Sequence, residues 1–284
     1  MGCFLFLCYK IELMRIACTI IITLSCLTTV AQWRTDAKRF WICGHRGGFY
    51  DAFPENSLPL FKHTERHSKI TPVILELDIR KSASGKLYLL HDETVDRTTT
   101  GTGKIAELTD DYLSTLFLKD AKGQATNQHL LTFDEMLRYA RQADIIMMLD
   151  IKTDVWTEVV NKVKDASLLN KCVVLTFNPA NTKKVYDASG NIRISCLVKD
   201  DKDWEAIAAL SIPPENLVAY VTSTTTLELK AKLRNLHIPL MMDVSEYTRN
   251  NGTLHPVKFY RDYVKKNYID ILITDFPIEV SRAF

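Results

Sequence analysis

Eight apolar runs of strand length recur along this chain, most of them handing over to a segment of helical periodicity, and few architectures accommodate that rhythm. The runs fall at residues 40–44, 73–79, 144–151, 172–177, 192–198, 217–222, 239–244 and 269–274. Helical patterns follow at 57–65, 156–164, 182–188, 204–210, 227–236 and 257–266. Strands that are apolar without alternation are buried on both faces, as in a parallel sheet covered by helices. Eight such units in about 250 residues predict an α/β chain folded as a (β/α)8 TIM-type barrel over 40–284. An open doubly wound sheet fits less well, because no Gly-x-Gly-x-x-Gly opens the first helix.

One segment breaks the rhythm. About fifty residues separate the second run from a helix at 133–141, too many for a simple strand-to-helix connection. They include a short strand at 87–90 and the polar stretch Thr98-Thr99-Thr100-Gly101-Thr102-Gly103. Residues 93–130 therefore read as a small insertion after strand two, lying over the barrel mouth. After Asp275-Phe276-Pro277 only seven residues remain, so the last helix is cut short.

The first thirty residues stand apart. Residues 16–30 carry no charge, with Lys10 and Arg15 before them and Ala31-Gln32 after. A basic start, a short apolar core and a small residue describe a secretory signal peptide over 1–31, with Met14 as a second and more usual start. The run falls short of the roughly 20 residues of a spanning helix. An uncleaved anchor is the alternative, and would be the only membrane contact. The expected location is exported, periplasmic or extracellular. Of seven cysteines, Cys43, Cys172 and Cys196 lie beyond this leader, each inside an apolar run, and are expected as buried thiols. A net charge of +2, without clustered Lys/Arg and interleaved aromatics, argues against a nucleic-acid partner.

Active sites of such barrels gather at the carboxyl ends of the strands, and the chemically suggestive residues fall there. His45 and Arg46 close strand one. Glu76 and Asp78 sit two apart near the end of strand two and point the same way, with Leu75, Leu77 and Ile79 facing the helices. Asp150 and Lys152 repeat the arrangement on strand three. Three converging carboxylates repel one another unless a cation lies among them, and oxygen ligands favour Mg²⁺ or Ca²⁺ over zinc. A polar layer satisfied by Lys152 and Arg80 is the bland alternative; it leaves negative charge over if Glu55 and Asp92 join the cluster. His45 and His91 each end an apolar run beside a polar partner, and two imidazoles can divide acid and base duties. His63, His67, His129, His237 and His255 read as merely hydrogen-bonded. Arg46 offers a planar fork to phosphate oxygens.

His45-Arg46-Gly47, Pro54-Glu55-Asn56, Glu76-Leu77-Asp78, His91-Asp92, Asp96-Arg97-Thr98-Thr99, Asp150-Ile151-Lys152 and Thr274-Asp275-Phe276-Pro277 form an ordered set. That set resembles the glycerophosphodiester phosphodiesterases, from about residue 40 to the C-terminus. The resemblance implies the same barrel with an insertion after strand two, His45 and His91 as catalytic residues, and Glu76 and Asp78 as metal ligands. Asp150 stands where many members have a glutamate as third ligand. Arg46 and Lys152 match the phosphate-contacting bases. Asn56 is placed with them on the substrate side, and Glu55 is a candidate further metal ligand. Many members carry a tryptophan at the end of strand seven; this chain has Met241-Met242-Asp243-Val244-Ser245. Asp243 then either binds substrate hydroxyls or caps the turn.

The implied activity is hydrolysis of glycerophosphodiesters to glycerol 3-phosphate and an alcohol, with a divalent cation, Ca²⁺ or Mg²⁺. Two other readings share the barrel. One is phospholipase-type cleavage of intact lipid at a membrane surface, which an exposed apolar rim in the insertion or near strand seven would favour. The other is a non-catalytic barrel that binds phosphodiesters.

Overall fold

In a computed structural model, residues 40–284 are described; the leader read at 1–31 lies outside them. Eight strands close a parallel barrel: β1 (Trp41–Gly44), β2 (Val73–Lys81), β6 (Ile145–Ile151), β7 (Cys172–Thr176), β8 (Arg193–Leu197), β9 (Leu217–Tyr220), β10 (Leu240–Asp243) and β11 (Ile271–Thr274). Closure comes from β1, which pairs with both β11 and β2. The eight apolar runs are these eight strands.

Helices connect them in the order the pattern predicts: α1 (Leu58–His67), α3 (Phe133–Ala140), α4 (Trp156–Asp165), α5 (Pro179–Ala188), α6 (Asp201–Ala208), α7 (Leu227–Asn235), α9 (Val257–Asn267) and the short α10 (Pro277–Ser281). Two starts lie upstream of the apolar pattern, because polar caps precede it. Asn178 accepts the Asn181 N–H ahead of Pro179, so α5 begins before Thr182. Asp200 accepts the Asp203 N–H and starts α6 before Trp204. A capping box between Thr132 and Glu135 opens α3.

Strand residues alternate between two environments. Leu75, Leu77 and Ile79 of β2 and Met147, Leu149 and Ile151 of β6 pack with Phe61, Phe133, Val159 and other helix residues in the outer core. The intervening residues face the barrel interior, where the Cys43 thiol lies 3.7 Å from the Met148 sulfur. The three cysteines of the barrel are buried and free.

The long segment after β2 builds its own layer. β3 (Leu87–Leu89) pairs antiparallel with the end of β2, then come the short helix α2 (Asp110–Ser114) and the hairpin β4 (Phe117–Lys119) and β5 (Ala125–His129). Tyr88, Leu90, Val95, Ile105, Leu113, Leu116, Leu118 and Leu130 form a second apolar cluster beneath it. The hairpin strands are not visible as apolar runs, because β5 reads Ala-Thr-Asn-Gln-His and is largely exposed. A four-residue helix α8 (Glu246–Arg249) after β10 is likewise absent from the periodicity.

Candidate active site

Strand register assembles the carboxylates. β2 and β6 run parallel with Asp78 beside Asp150, and Glu76 lies two residues earlier on the same inward face. One carboxylate oxygen from each of Glu76, Asp78 and Asp150 lies within 4.8 Å of the others. Glu76 and Asp78 are only 3% and 1% exposed, so their charges meet little water. Burial and the neighbouring Asp78 charge push Glu76 up to about 8. Burial also raises Asp150, although Lys152 opposes it. Burial would push Asp78 up as well, but Lys152, His91 and Arg46 together hold it below the usual carboxylate range.

Lys152 answers part of this charge, with Nζ 3.0 Å from Asp78 and 2.5 Å from Asp150. Arg80 acts on Asp78 and Asp150 only through space, since its Nε donates to the His91 carbonyl. Lys152, with Arg46 Nε 3.9 Å from Asp78, sets two bases against three buried carboxylates, which leaves an excess of negative charge, and an all-oxygen donor set of this spacing fits a hard divalent cation. Asn56 serves the same cluster. Its amide donates to Asp78 at 2.8 Å and its carbonyl oxygen accepts the Asp78 N–H, so it orients that carboxylate and its polar atoms are turned away from open solvent.

Two histidines stand nearby, each with Nδ1 on a carboxylate. His45 Nδ1 lies 2.8 Å from Asp275, and His91 Nδ1 lies 2.7 Å from Asp92. Such a pairing places the proton on Nδ1 and leaves Nε2 for other work. Burial disfavours the charged form of His45, but the Asp275 hydrogen bond and the Glu76 charge raise it to about 9. Asp275 is itself fixed, since its second oxygen accepts the Tyr247 N–H and its own N–H donates to the buried Glu246. The other five histidines lie away from the carboxylate cluster; His129 and His67 contact backbone carbonyls, and His255 stacks on Phe259.

The turn after β1 sets the arginine. Arg46, Gly47 and Gly48 all have positive φ, and a Cβ on Gly47 would meet the Phe61 ring at 2.7 Å. This conformation sends the Arg46 N–H to Glu76 at 2.7 Å and its guanidinium toward Glu55. Arg46 Nε is buried without a hydrogen-bond partner. Glu55 lies outside the carboxylate trio, with both oxygens taken by Arg46 and Arg97. Asp243 is occupied as well, by the Ser245 N–H and hydroxyl, Tyr220 and Arg249, which is the arrangement of a turn cap. A cavity of about 360 Å³ at the barrel mouth is lined by His45, Arg46, His91 and Asp275, and by Lys119, Asp120, Ala121 and Gly123 of the insertion.

The model of the glycerophosphoryl diester phosphodiesterase family matches residues 45–278, nearly the whole barrel. The chain belongs to that family. Among relatives, bovine glycerophosphodiester phosphodiesterase 1 is 29% identical over 155 residues, covering 52% of this chain and 46% of the relative. A glycerophosphodiester phosphodiesterase of Caldanaerobacter subterraneus is 24% identical over 163 residues, 55% of this chain and 65% of that one. The chain thus spans less than two thirds of the length of these relatives. A crystal structure of a glycerophosphoryl diester phosphodiesterase from Parabacteroides distasonis superposes with TM-score 0.79 at 28% identity, over 90% of both chains. An Oleispira antarctica phosphodiesterase, solved with sn-glycerol-3-phosphate, shares the fold at 16% identity and TM-score 0.66, over 86% of this chain and 96% of that one.

Members of this family are enzymes, and two contacts of the present site join residues far apart in the sequence. Asp275 lies 230 residues from His45 and Arg97 lies 42 from Glu55. Both fall inside motifs that carry the family resemblance, but nothing in the order of residues says which histidine or carboxylate each would touch.

Proposed function

We propose that this chain hydrolyses glycerophosphodiesters to glycerol 3-phosphate and an alcohol, with a divalent cation and two histidines. One observation carries the reading: two imidazoles, each oriented by a carboxylate on Nδ1, open onto one cavity beside the buried carboxylate trio. Glu76, Asp78 and Asp150 would hold the cation, Ca²⁺ or Mg²⁺, which when bound supplies Lewis-acid polarisation of a phosphoryl oxygen. Arg46, whose Nε makes no hydrogen bond and lies 3.9 Å from Asp78, and Lys152 share the charge of the phosphate. One histidine takes a proton from the attacking group, either water or the neighbouring glycerol hydroxyl, and the other gives one to the leaving alcohol; where the hydroxyl attacks, water then opens the cyclic phosphate to glycerol 3-phosphate. Asp275 and Asp92 keep each ring in the tautomer that presents Nε2. Export by way of the leader at 1–31 belongs to the same proposal and rests on the sequence pattern alone.

The test is a panel of soluble glycerophosphodiesters, assayed with chelator and after returning Ca²⁺ or Mg²⁺. Release of glycerol 3-phosphate that chelator stops and cation restores is the expected result. No release in the presence of either cation would end the reading. A second reading, cleavage of lipid at a membrane surface, is favoured by one feature. Tyr247, Leu254 and Val257, all following the seventh barrel strand, expose apolar side chains at 61%, 39% and 48%. Faster turnover of a lysophospholipid in vesicles than of its deacylated headgroup diester would select it.

A further inference from the structure

Arg97 belongs to the insertion, yet it touches both halves of the site. Its Nε donates to Asp92 Oδ2 at 2.6 Å and its Nη2 to Asp92 Oδ1 at 3.0 Å. On the other side, Nη1 and Nη2 donate to the two Glu55 oxygens at 2.7 and 2.8 Å. One guanidinium thus forks to two carboxylates at once. The Asp92 oxygen that accepts from Nη2 is also the one on His91 Nδ1. The Glu55 oxygens are the ones that Arg46 reaches, but only at 3.2 and 3.3 Å.

We propose that Arg97 is a positioning residue that locks His91 through Asp92 and, by taking the short contacts to Glu55, keeps the Arg46 guanidinium only loosely paired there and able to turn to the substrate phosphate. The argument rests on bond lengths and on donor supply. Asp92, without Arg97, would have one short contact left and a side chain 29% exposed, so it would hold the imidazole over several rotamers. Glu55, without Arg97, would answer to Arg46 alone, and a bidentate ion pair would form where the phosphate should go. The short contacts go to Arg97 and the long ones to Arg46, which is the distribution that keeps Arg46 available. The insertion then has a chemical duty in addition to walling the cavity. Lysine cannot replace it, since a single ammonium has no planar fork for two carboxylates.

This inference presupposes the two-histidine hydrolase reading, and the experiment separates them. R97A, R97K, D92N and R97A/D92N are made in the full chain and assayed on a soluble glycerophosphodiester at saturating cation. kcat and KM are read separately across pH, and each melting temperature is recorded. R97A should lose about 10- to 100-fold in kcat and raise KM, the usual reach of a residue that acts through the support of a reacting group. R97K should recover little of this, and millimolar guanidinium should restore part of the R97A rate. The double variant should be little worse than D92N alone in kcat, because both changes release the same imidazole. Wild-type kcat, KM and pH profile in R97A would overturn the proposal, as would a loss that guanidinium leaves unchanged and that adds in full to D92N. If R97A melts below the assay temperature, R97K decides, and wild-type kinetics in R97K overturn it. If the wild-type chain itself releases no product, the hydrolase reading falls and this one with it. If the wild type is active and only the Arg97 variants behave as wild type, this one falls alone.

Discussion

Replacing Glu76 with glutamine should stabilise the cation-free protein while removing its response to cation. Glu76 is buried, and in the absence of a cation its carboxyl is pushed from 4.5 to about 8. The unfolded chain releases that proton near 4.5, so the native state carries one proton more through this range. Stability then falls as pH rises from about 4.5 to about 8, because the unfolded state binds fewer protons. Each pH unit is worth about 1.4 kcal/mol, so at pH 7 the penalty is about 3 kcal/mol, with the opposing His45 charge already included. Glutamine keeps an oxygen that can accept the Arg46 N–H, which Glu76 accepts at 2.7 Å, and carries no charge to desolvate. A gain of about 2 kcal/mol corresponds to about 4–8 °C in melting temperature for a barrel of this size. Thermal melts of both proteins in chelator, from acid to mildly alkaline pH, read this directly. Glu76→Gln should melt higher at pH 7, with a flatter pH dependence, and saturating Ca²⁺ or Mg²⁺ should raise the wild type alone. Refutation is equally direct: a variant that melts lower than wild type in chelator, or that gains as much from cation, would show that Glu76 is not held against its own charge.

Other outcomes follow from the same contacts. Asp275→Asn, read by kcat and KM, should cost about 100- to 10,000-fold in kcat with little change in KM, because an amide can donate to His45 Nδ1 and reverse its tautomer. Gly47→Ala should destabilise the barrel by about 2 kcal/mol or more in denaturant titration and impair turnover, since the new Cβ meets Phe61 and the residue holds φ +92. Peptide mapping after thiol labelling of native protein should find Cys43, Cys172 and Cys196 unmodified until denaturant is added, since all three are buried and burial raises their thiols.

The barrel was legible because it depends on local patterns. Each strand is buried on both faces, so a run such as Ile145–Ile151 announces itself without reference to its neighbours. The metal-type carboxylates were legible for a related reason. Glu76 and Asp78 share a face by the two-residue period of β2, and Asp150 ends the strand that pairs beside it. Elements of polar sequence escaped: the β4–β5 hairpin is held by turns and by the small core beneath it, and helix α8 by its buried Glu246, which accepts from Tyr260, Thr274 and the Asp275 N–H. Asp243 shows the limit from the other side, because its sequence position allowed substrate contact and only the fold of Ser245 and Arg249 around it made it a cap.

What the chain's order of residues determined by itself is therefore the alternation, the strand ends and the identity of the groups brought to them. Tertiary structure decided who partners whom. His45 meets Asp275 only because β1 and β11 close the barrel, and Arg97 meets Glu55 only because the insertion folds back over the mouth. Hydrophobic periodicity is a one-dimensional consequence of burial and can be read along a chain. A hydrogen bond between polar groups distant in sequence depends on where two loops end, and that is settled only when the sheet has closed.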